Sequence, residues 1–275
     1  MSRSSPWQCH LVNMLNHDLK TSVDVYASLS WWILGYQDRA ARLSDKAVAH
    51  ARRRGHPFDL GWVLYTGAEA FEYRCEPEKV RLRAEECERL GRDNSMPVLW
   101  AMGAPLRHGL ALIREGRAAE GIPPLKAGMA FWDSLGGECR SPHRNSVLAE
   151  GMALTCDLDN ALRLIDEQIA QVERPAGKNA FTYAEILRLK GWMLSLKGDL
   201  EGAERNYLAS LDRARGQQAK FWERRTSTSL ARLWPGQSRR KEAHELLAPI
   251  YNWFTEGFDT MYRKDAKALL DQLVA

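Results

Sequence analysis

The sequence predicts an all-α fold, a superhelical solenoid of about six helix pairs closed by a C-terminal capping helix. Small side chains recur at a period of 40–42 residues, and apolar residues recur at helical intervals. No run alternates apolar and polar residues with the two-residue period of a strand. With 45% hydrophobic and 27% charged residues, the 275-residue chain has the composition of a folded globular protein.

The repeat is clearest in two segments, LGYQDRAARLSDKAVA (34–49) and LKGDLEGAERNYLASL (196–211), whose alignment pairs Ala40 with Ala203. The same frame gives six anchor positions, with spacings of 40, 41, 40, 42 and 40 residues: Ala40, Val80, Gly121, Ala161, Ala203 and Ala243. Small anchors let two helix axes approach closely. Paired helices at this spacing indicate tetratricopeptide-like units, which we expect to stack in a right-handed superhelix.

These units divide the chain into three parts. Residues 1–20 form an N-terminal segment or partial helix, residues 21–258 form the repeat domain, and residues 259–275 form the capping helix. In the last part Tyr262, Ala266 and Leu269 fall on one helix face. A solenoid needs such a helix to cover its last apolar face.

Prolines and glycines mark irregular points. Pro105, Pro123 and Pro124 fall inside the third pair and predict kinked or shortened helices, because an interior proline removes a backbone hydrogen bond. Pro235-Gly236 is expected to distort the turn of the sixth pair. Five glycines are expected to cap the second helices in the left-handed conformation: Gly55, Gly91, Gly136, Gly177 and Gly216.

Several functional classes lack their sequence patterns. The net charge of +4 is weak for a nucleic-acid binder, and no apolar stretch reaches the roughly 20 residues of a membrane span. A secretory signal is not recognisable, and five scattered cysteines without a CxxC pair indicate reduced thiols in a cytoplasmic protein. Neither a phosphate-binding loop, nor a zinc motif, nor a nucleophile elbow occurs. We therefore expect no enzymatic activity, no cofactor and no metal.

The expected working surface is the concave face, which the first helix of each unit lines. Counting back from the anchors places ten candidate partner-binding residues there: Trp62, Tyr65, Glu69, His143, Glu150, Glu185, Arg188, Trp192, Arg225 and Arg232. Aromatic and arginine side chains are frequent interface anchors. The sequence predicts a protein or peptide partner of unspecified identity, and self-association is also open.

Three stretches resemble a known family. WWILGYQDRAARLSDKAVAHARRRGHPFDL, ILRLKGWMLSLKGDLEGAERNYLASLDRARGQQAKFWERRTSTSLARLW and LLAPIYNWFTEGFDTMYRKDAKALLDQL are similar to the C-terminal tetratricopeptide region of bacterial class III adenylate/guanylate cyclase–ATPase fusion proteins. APIYNWFTEGFDT is the most specific part. The resemblance covers residues 16–275 and implies a non-catalytic region for interaction or regulation. The cyclase and ATPase domains of that family would lie upstream, so this is either a stand-alone repeat protein or a fragment.

Two alternatives to partner binding remain. The chain is then either a regulatory piece of a cyclase–ATPase signalling protein or a nucleic-acid-binding repeat protein. The second alternative depends on a late basic cluster: Arg224, Arg225, Arg232, Arg239, Arg240 and Lys241. Acidic residues interrupt this cluster, which favours an ordinary solvated helix face.

Overall fold

The computed structural model describes residues 18–135, 142–174 and 180–274. Within these ranges there are thirteen α-helices and no strand, which confirms the all-helical prediction. The helices are α1 (Leu19–Ile33), α2 (Gln37–Arg54), α3 (Pro57–Glu72), α4 (Pro77–Asp93), α5 (Ala104–Arg114), α6 (Ala118–Ser134), α7 (Pro142–Leu154), α8 (Leu158–Val172), α9 (Tyr183–Leu196), α10 (Leu200–Gly216), α11 (Lys220–Leu233), α12 (Arg240–Trp253) and α13 (Met261–Val274).

Helices that follow one another in the chain pack against one another in antiparallel pairs, as in an α-solenoid. The odd-numbered helices α3 to α11 form the inner layer and are buried on most of their circumference, whereas the even-numbered helices bury only one stripe. Polar residues of the inner helices are therefore brought together at the centre of the molecule.

The turn inside each pair has the same backbone geometry. A residue with positive φ lies five positions before each anchor: Gly35, Cys75, Gly116, Cys156, Gly198 and Ser238. The next residue donates its backbone N–H to the carbonyl five residues earlier, as Tyr36 does to Trp31 and Asp199 does to Leu194. This bond is typical of the Schellman ending of a helix. The 40–42-residue period of the sequence is thus also a period of the backbone.

The predicted anchors lie between helices. Ala40, Ala161, Ala203 and Ala243 are fully buried, as is Val80. At Gly121 a methyl group would lie 2.6 Å from the Gly109 carbonyl oxygen, and one at Gly109 would lie 2.6 Å from the Gly121 oxygen. Helices α5 and α6 therefore pack at a separation that only glycine allows at this point, which is the close approach that the repeat predicts.

The irregularity expected in the third pair lies in its first helix, α5, which at 11 residues is the shortest of the described α-helices, and not in its second. Helix α6 continues through Pro123 and Pro124 for its full 17 residues, so it is not shortened. The irregularity lies instead at Val98–Gly103, a π-helical turn that precedes α5 and places Pro105 in the first turn of that helix. Pro235-Gly236 forms a 3₁₀ turn, as expected of a distorted connection.

Of the five predicted glycine caps, Gly55 adopts the left-handed conformation (φ +72°) at the end of α2. Gly91 lies inside α4 and Gly216 is the last residue of α10, so neither is a left-handed cap. After those two helices the positive-φ residues are Ser95 and Gln218. Gly136 and Gly177 lie outside the described residues.

The first and last parts of the array touch. Trp32 of α1 stacks on Tyr73 with a centroid distance of 3.6 Å, and its ring lies 4.2 Å from Phe221 and 4.8 Å from Trp222 of α11. Trp32 is 1% exposed. An aromatic cluster therefore joins helices that are nearly 190 residues apart in the chain.

Polar contacts reinforce this seam. The Glu256 carboxylate accepts hydrogen bonds from the backbone N–H groups of Asp38 (2.9 Å) and Arg39 (3.0 Å). Gly257 donates its backbone N–H to Asp38 Oδ2 at 3.0 Å, and Arg74 forms ion pairs with both Asp38 and Asp259. The Glu256 carboxylate thus lies at the N-terminus of α2, where the helix dipole favours a negative charge. We call these contacts, with the Trp32 cluster, the seam.

In the described ranges, no helix has the combination of length and apolarity that a bilayer crossing requires.

Candidate functional site

The ten predicted partner-binding residues do not line one open groove. Tyr65, His143, Glu185, Arg188 and Arg225 are buried, each less than 9% exposed. The others are accessible to different extents: Trp62, Glu69, Glu150 and Trp192 are half-buried, and Arg232 is exposed. Their role in partner binding stays a prediction, and their positions separate them into a front cluster and a back cluster.

The front cluster is an ionic network between α3, α5 and α7. Glu72 is fully buried, and its Oε2 accepts a hydrogen bond from Arg107 Nη1 at 3.0 Å. His143 Nε2 lies 3.3 Å from Glu72 Oε1 and within hydrogen-bond distance (2.9 Å) of the Tyr73 hydroxyl. Arg107 also donates to the Tyr65 carbonyl at 2.8 Å. Apart from Glu72 Oε1, which makes no hydrogen bond among the described residues, these polar groups bind one another, so the front cluster fixes helices rather than presenting groups to a ligand.

The charge of Glu72 depends on this network. Burial by itself raises the pKa of a carboxyl group, but the charges of His143 and Arg107 outweigh that effect and lower the pKa of Glu72 to about 2. The carboxylate is therefore ionised at neutral pH and contributes to the stability of the folded chain.

The back cluster joins α9 and α11. Arg188 donates two hydrogen bonds of 2.8 Å to the Glu185 carboxylate, and Arg225 Nη1 lies 3.0 Å from Glu185 Oε1. Burial alone would raise the pKa of Glu185, but Arg188 and Arg225 outweigh it and lower the pKa. One carboxylate is thus shared between two buried arginines.

A cavity of about 370 Å³ opens beside this cluster, and we call it the tryptophan cavity. Five of the ten predicted residues line it, namely Glu150, Arg188, Trp192, Arg225 and Arg232, together with Ser195, Tyr207, Ser229 and Leu233. The sequence-based frame therefore brings five of the ten predicted residues to one place. The other five are not among its lining residues: Trp62, Tyr65, Glu69, His143 and Glu185.

A second, smaller cavity of about 120 Å³ adjoins the first, and we call it the arginine cavity. Its lining comprises Arg188, Arg224, Arg225, Thr228, Ser229, Arg232, Tyr262 and Asp265. The C-terminal helix α13 thus supplies two of the lining residues, Tyr262 and Asp265. Since the two cavities share four residues, a ligand could extend from one into the other.

Arg224 was not among the predicted site residues. It is 1% exposed, and its Nη2 donates to Gln37 Oε1 at 3.4 Å, while its Nε and Nη1 have no hydrogen-bond partner in the described part of the chain. Burial, together with the neighbouring charges of Arg263 and Arg225, lowers the pKa of its guanidinium to about 9. A buried arginine surrounded by arginines has no sequence pattern, because it arises only when the seam closes.

The late basic cluster does not form one exposed surface. Arg224 and Arg225 are buried, Arg232 pairs with Asp265, and Arg239 pairs with Glu204 and Glu242. Since exposed unpaired cations are what phosphate backbones attract, this arrangement gives little support to nucleic-acid binding.

The cysteines and metal-binding groups add no further site in the described ranges. Cys75, Cys87 and Cys156 are free thiols, and burial raises the pKa of Cys87 to about 12, which makes it a poor nucleophile. Cys9 and Cys139 lie outside the described residues. The same ranges contain no group of three or more histidine, cysteine or acidic side chains placed to hold a metal ion.

No protein-family model matches the chain, and no curated protein has significant sequence similarity to it.

Proposed function

We propose that this chain is a non-catalytic binding module, a right-handed array of six tetratricopeptide-like helix pairs that captures a protein or peptide partner in the tryptophan cavity. The observation that carries the proposal is the convergence of Glu150, Arg188, Trp192, Arg225 and Arg232 on one open cavity of about 370 Å³. These five residues are among the positions that repeat counting assigns to the concave face, and tryptophan and arginine are residue types that often anchor interfaces.

The chemistry of the cavity favours a segment with an acidic and an apolar side chain. Trp192 and Leu233 supply apolar surface, and Arg232, with half of its side chain exposed, supplies a reachable guanidinium. The ion pair of Arg232 with Asp265 lies at the surface, where it contributes little and can be exchanged for a partner carboxylate.

The test is affinity capture from the native organism, followed by measurement of the affinity of the partner that is recovered. Trp192→Ala is expected to weaken binding by about 30-fold, the effect of removing an interface anchor. Trp100→Ala is the matched control, since Trp100 is also half-buried but lines neither cavity. Equal affinities of the two variants would refute the assignment of the cavity.

A second candidate is regulation within a cyclase–ATPase protein. The stretch APIYNWFTEGFDT, which carries the most specific part of that resemblance, also supplies Glu256, Gly257 and Asp259 to the seam. A seam of this kind could open and close with the state of an upstream domain. Inspection of the genomic sequence upstream of the chain tests this candidate. A cyclase or phosphate-loop domain in the same reading frame supports it, and unrelated upstream sequence argues against it.

A further inference from the structure

We propose that the arginine cavity is a binding site for the phosphoryl group of a small phosphorylated molecule, with Arg224 as an uncompensated buried charge in its wall. This site goes beyond partner capture, because half of its lining residues lie outside the tryptophan cavity and it does not require Trp192. Each of its eight lining residues carries a polar group, and four of these groups are guanidiniums.

The charges in the cavity do not balance. Arg188, Arg224, Arg225 and Arg232 line it, whereas Asp265 and the adjoining Glu185 are the carboxylates that pair with them, which leaves two positive charges uncompensated. A phosphate monoester carries close to two negative charges at neutral pH. The cavity therefore matches a phosphoryl dianion better than a single carboxylate.

The hydrogen-bond donors are also unbalanced. Arg224 is almost completely buried, yet Nε and Nη1 have no acceptor among the described residues. These two atoms are enclosed and are not the parallel donor pair of a guanidinium, so Arg224 does not offer the cavity a bidentate fork. Its contribution to the cavity is an uncompensated positive charge, which an anion bound by Arg225 and the half-exposed Arg232 neutralises.

Aromatic rings fix the orientation of these donors. The Arg224 guanidinium lies 4.1 Å from the Phe254 ring centroid, and that of Arg225 lies 4.3 Å from the Tyr262 centroid. The contact of each guanidinium with an aromatic ring restricts the side chain and leaves its N–H groups free of that contact. The volume of about 120 Å³ admits a phosphoryl group and few further atoms, and the remainder of the ligand would extend into the tryptophan cavity.

The experiment measures the melting temperature of the whole chain as inorganic phosphate replaces chloride at constant ionic strength. The wild type is expected to gain about 5 °C when phosphate exceeds its dissociation constant a hundredfold. Arg224→Met should melt at a higher temperature than the wild type in chloride, because it removes an uncompensated buried charge, and should lose the phosphate-dependent gain. Arg205→Gln, at a side chain that is 71% exposed, is the control and should keep the gain.

Further arms define the ligand. If Arg224→Met does not fold, Arg232→Gln at the half-exposed rim replaces it and should weaken phosphate binding at least about tenfold. Acetate should stabilise less than phosphate, and glycerol phosphate should bind at least as well as a phosphoserine peptide, which separates a small-molecule source from a protein source. Trp192→Ala should keep the phosphate response even if it loses the partner, so the two proposals fail independently.

Three results would overturn the proposal. The first is a wild-type melting temperature that does not differ between phosphate and chloride. The second is a phosphate response that survives Arg224→Met, or a phosphate affinity that is unchanged in Arg232→Gln. The third is an equal or larger response to acetate, or binding of the phosphoserine peptide alone.

Discussion

Replacing Trp32 by alanine tests the seam energetically. The Trp32 side chain is 1% exposed and contacts Tyr73, Phe221 and Trp222 at centroid distances of 3.6, 4.2 and 4.8 Å. Truncating a buried aromatic residue to alanine costs about 3–5 kcal/mol, because transfer energy is lost and a cavity remains. We expect a loss of this size in the free energy of unfolding, measured by urea denaturation.

A double-mutant cycle isolates the contact across the seam. Trp32→Ala and Phe221→Ala should be non-additive by about 0.5–1.5 kcal/mol, the coupling typical of an aromatic pair. Trp100→Ala serves as the control, since Trp100 is half-buried and its ring packs under Arg92. It should cost less than about 2 kcal/mol.

Two results would refute the reasoning. If Trp32→Ala cost no more than Trp100→Ala, the ring would not be buried in solution. If the effects of Trp32→Ala and Phe221→Ala were strictly additive, helices α1 and α11 would not touch, and the array would be open.

Three further predictions concern single positions. Gly109→Ala should destabilise the chain by about 1–3 kcal/mol in urea unfolding, because the added methyl would lie 2.6 Å from the Gly121 oxygen. Gly216→Ala, where an added methyl meets nothing within 4 Å, should be neutral or stabilising. Equal effects of the two substitutions would contradict the close packing of α5 and α6. Cys156→Gly should raise the unfolding free energy by about 1 kcal/mol, since Cys156 is exposed with φ +65°, and a decrease would mean that the thiol matters to the fold. The pKa of the Glu72 carboxyl is about 2 in the folded chain instead of the usual 4.5. The ionised carboxylate should therefore stabilise the folded chain by about 3 kcal/mol above pH 4.5, and this contribution should be lost as the pH falls toward 2. An acid-unfolding profile of Glu72→Gln that matches the wild type would refute this.

The sequence predicted the helices and their period because both depend on local rules. Small anchors such as Ala203 recur where helices touch, and apolar side chains recur at helical spacing, so neither needs knowledge of distant contacts. The left-handed turns after the second helices were placed less well, since Ser95 and Gln218 have the positive φ that was expected of Gly91 and Gly216.

The site was only partly predictable for a different reason. Counting from the anchors found Trp192 and Arg232, which line the tryptophan cavity. It also assigned Tyr65 and Glu185 to an open groove, although both are buried. Both are covered by residues of neighbouring helices, Tyr65 by Arg107 and Glu185 by Arg188 and Arg225. Arg224 is instead buried at the seam, which depends on contacts between residues more than 180 positions apart, such as Asp38 with Gly257. No local pattern encodes such a contact, so Arg224 could not be identified before the fold was known.

Burial also changes which substitutions can probe binding. Arg188→Ala would leave the buried Glu185 carboxylate with only Arg225 as a partner, and breaking a buried ion pair costs about 3–5 kcal/mol. Loss of partner binding in that variant would therefore report on folding as well as on contact. Trp192, which is half-buried, is the cleaner probe.

The most direct measurement of the seam is the distance between spin labels at positions 39 and 259 in a chain whose native cysteines are replaced. Arg74 pairs with both Asp259 and Asp38, the neighbour of position 39, so the two labelled positions lie close to one side chain. A closed array predicts a single narrow distribution within about two helix spacings, or roughly 20 Å. A broad distribution at several times that distance would show that the two ends of the array are apart in solution, and would contradict both the seam and the arginine cavity that depends on it.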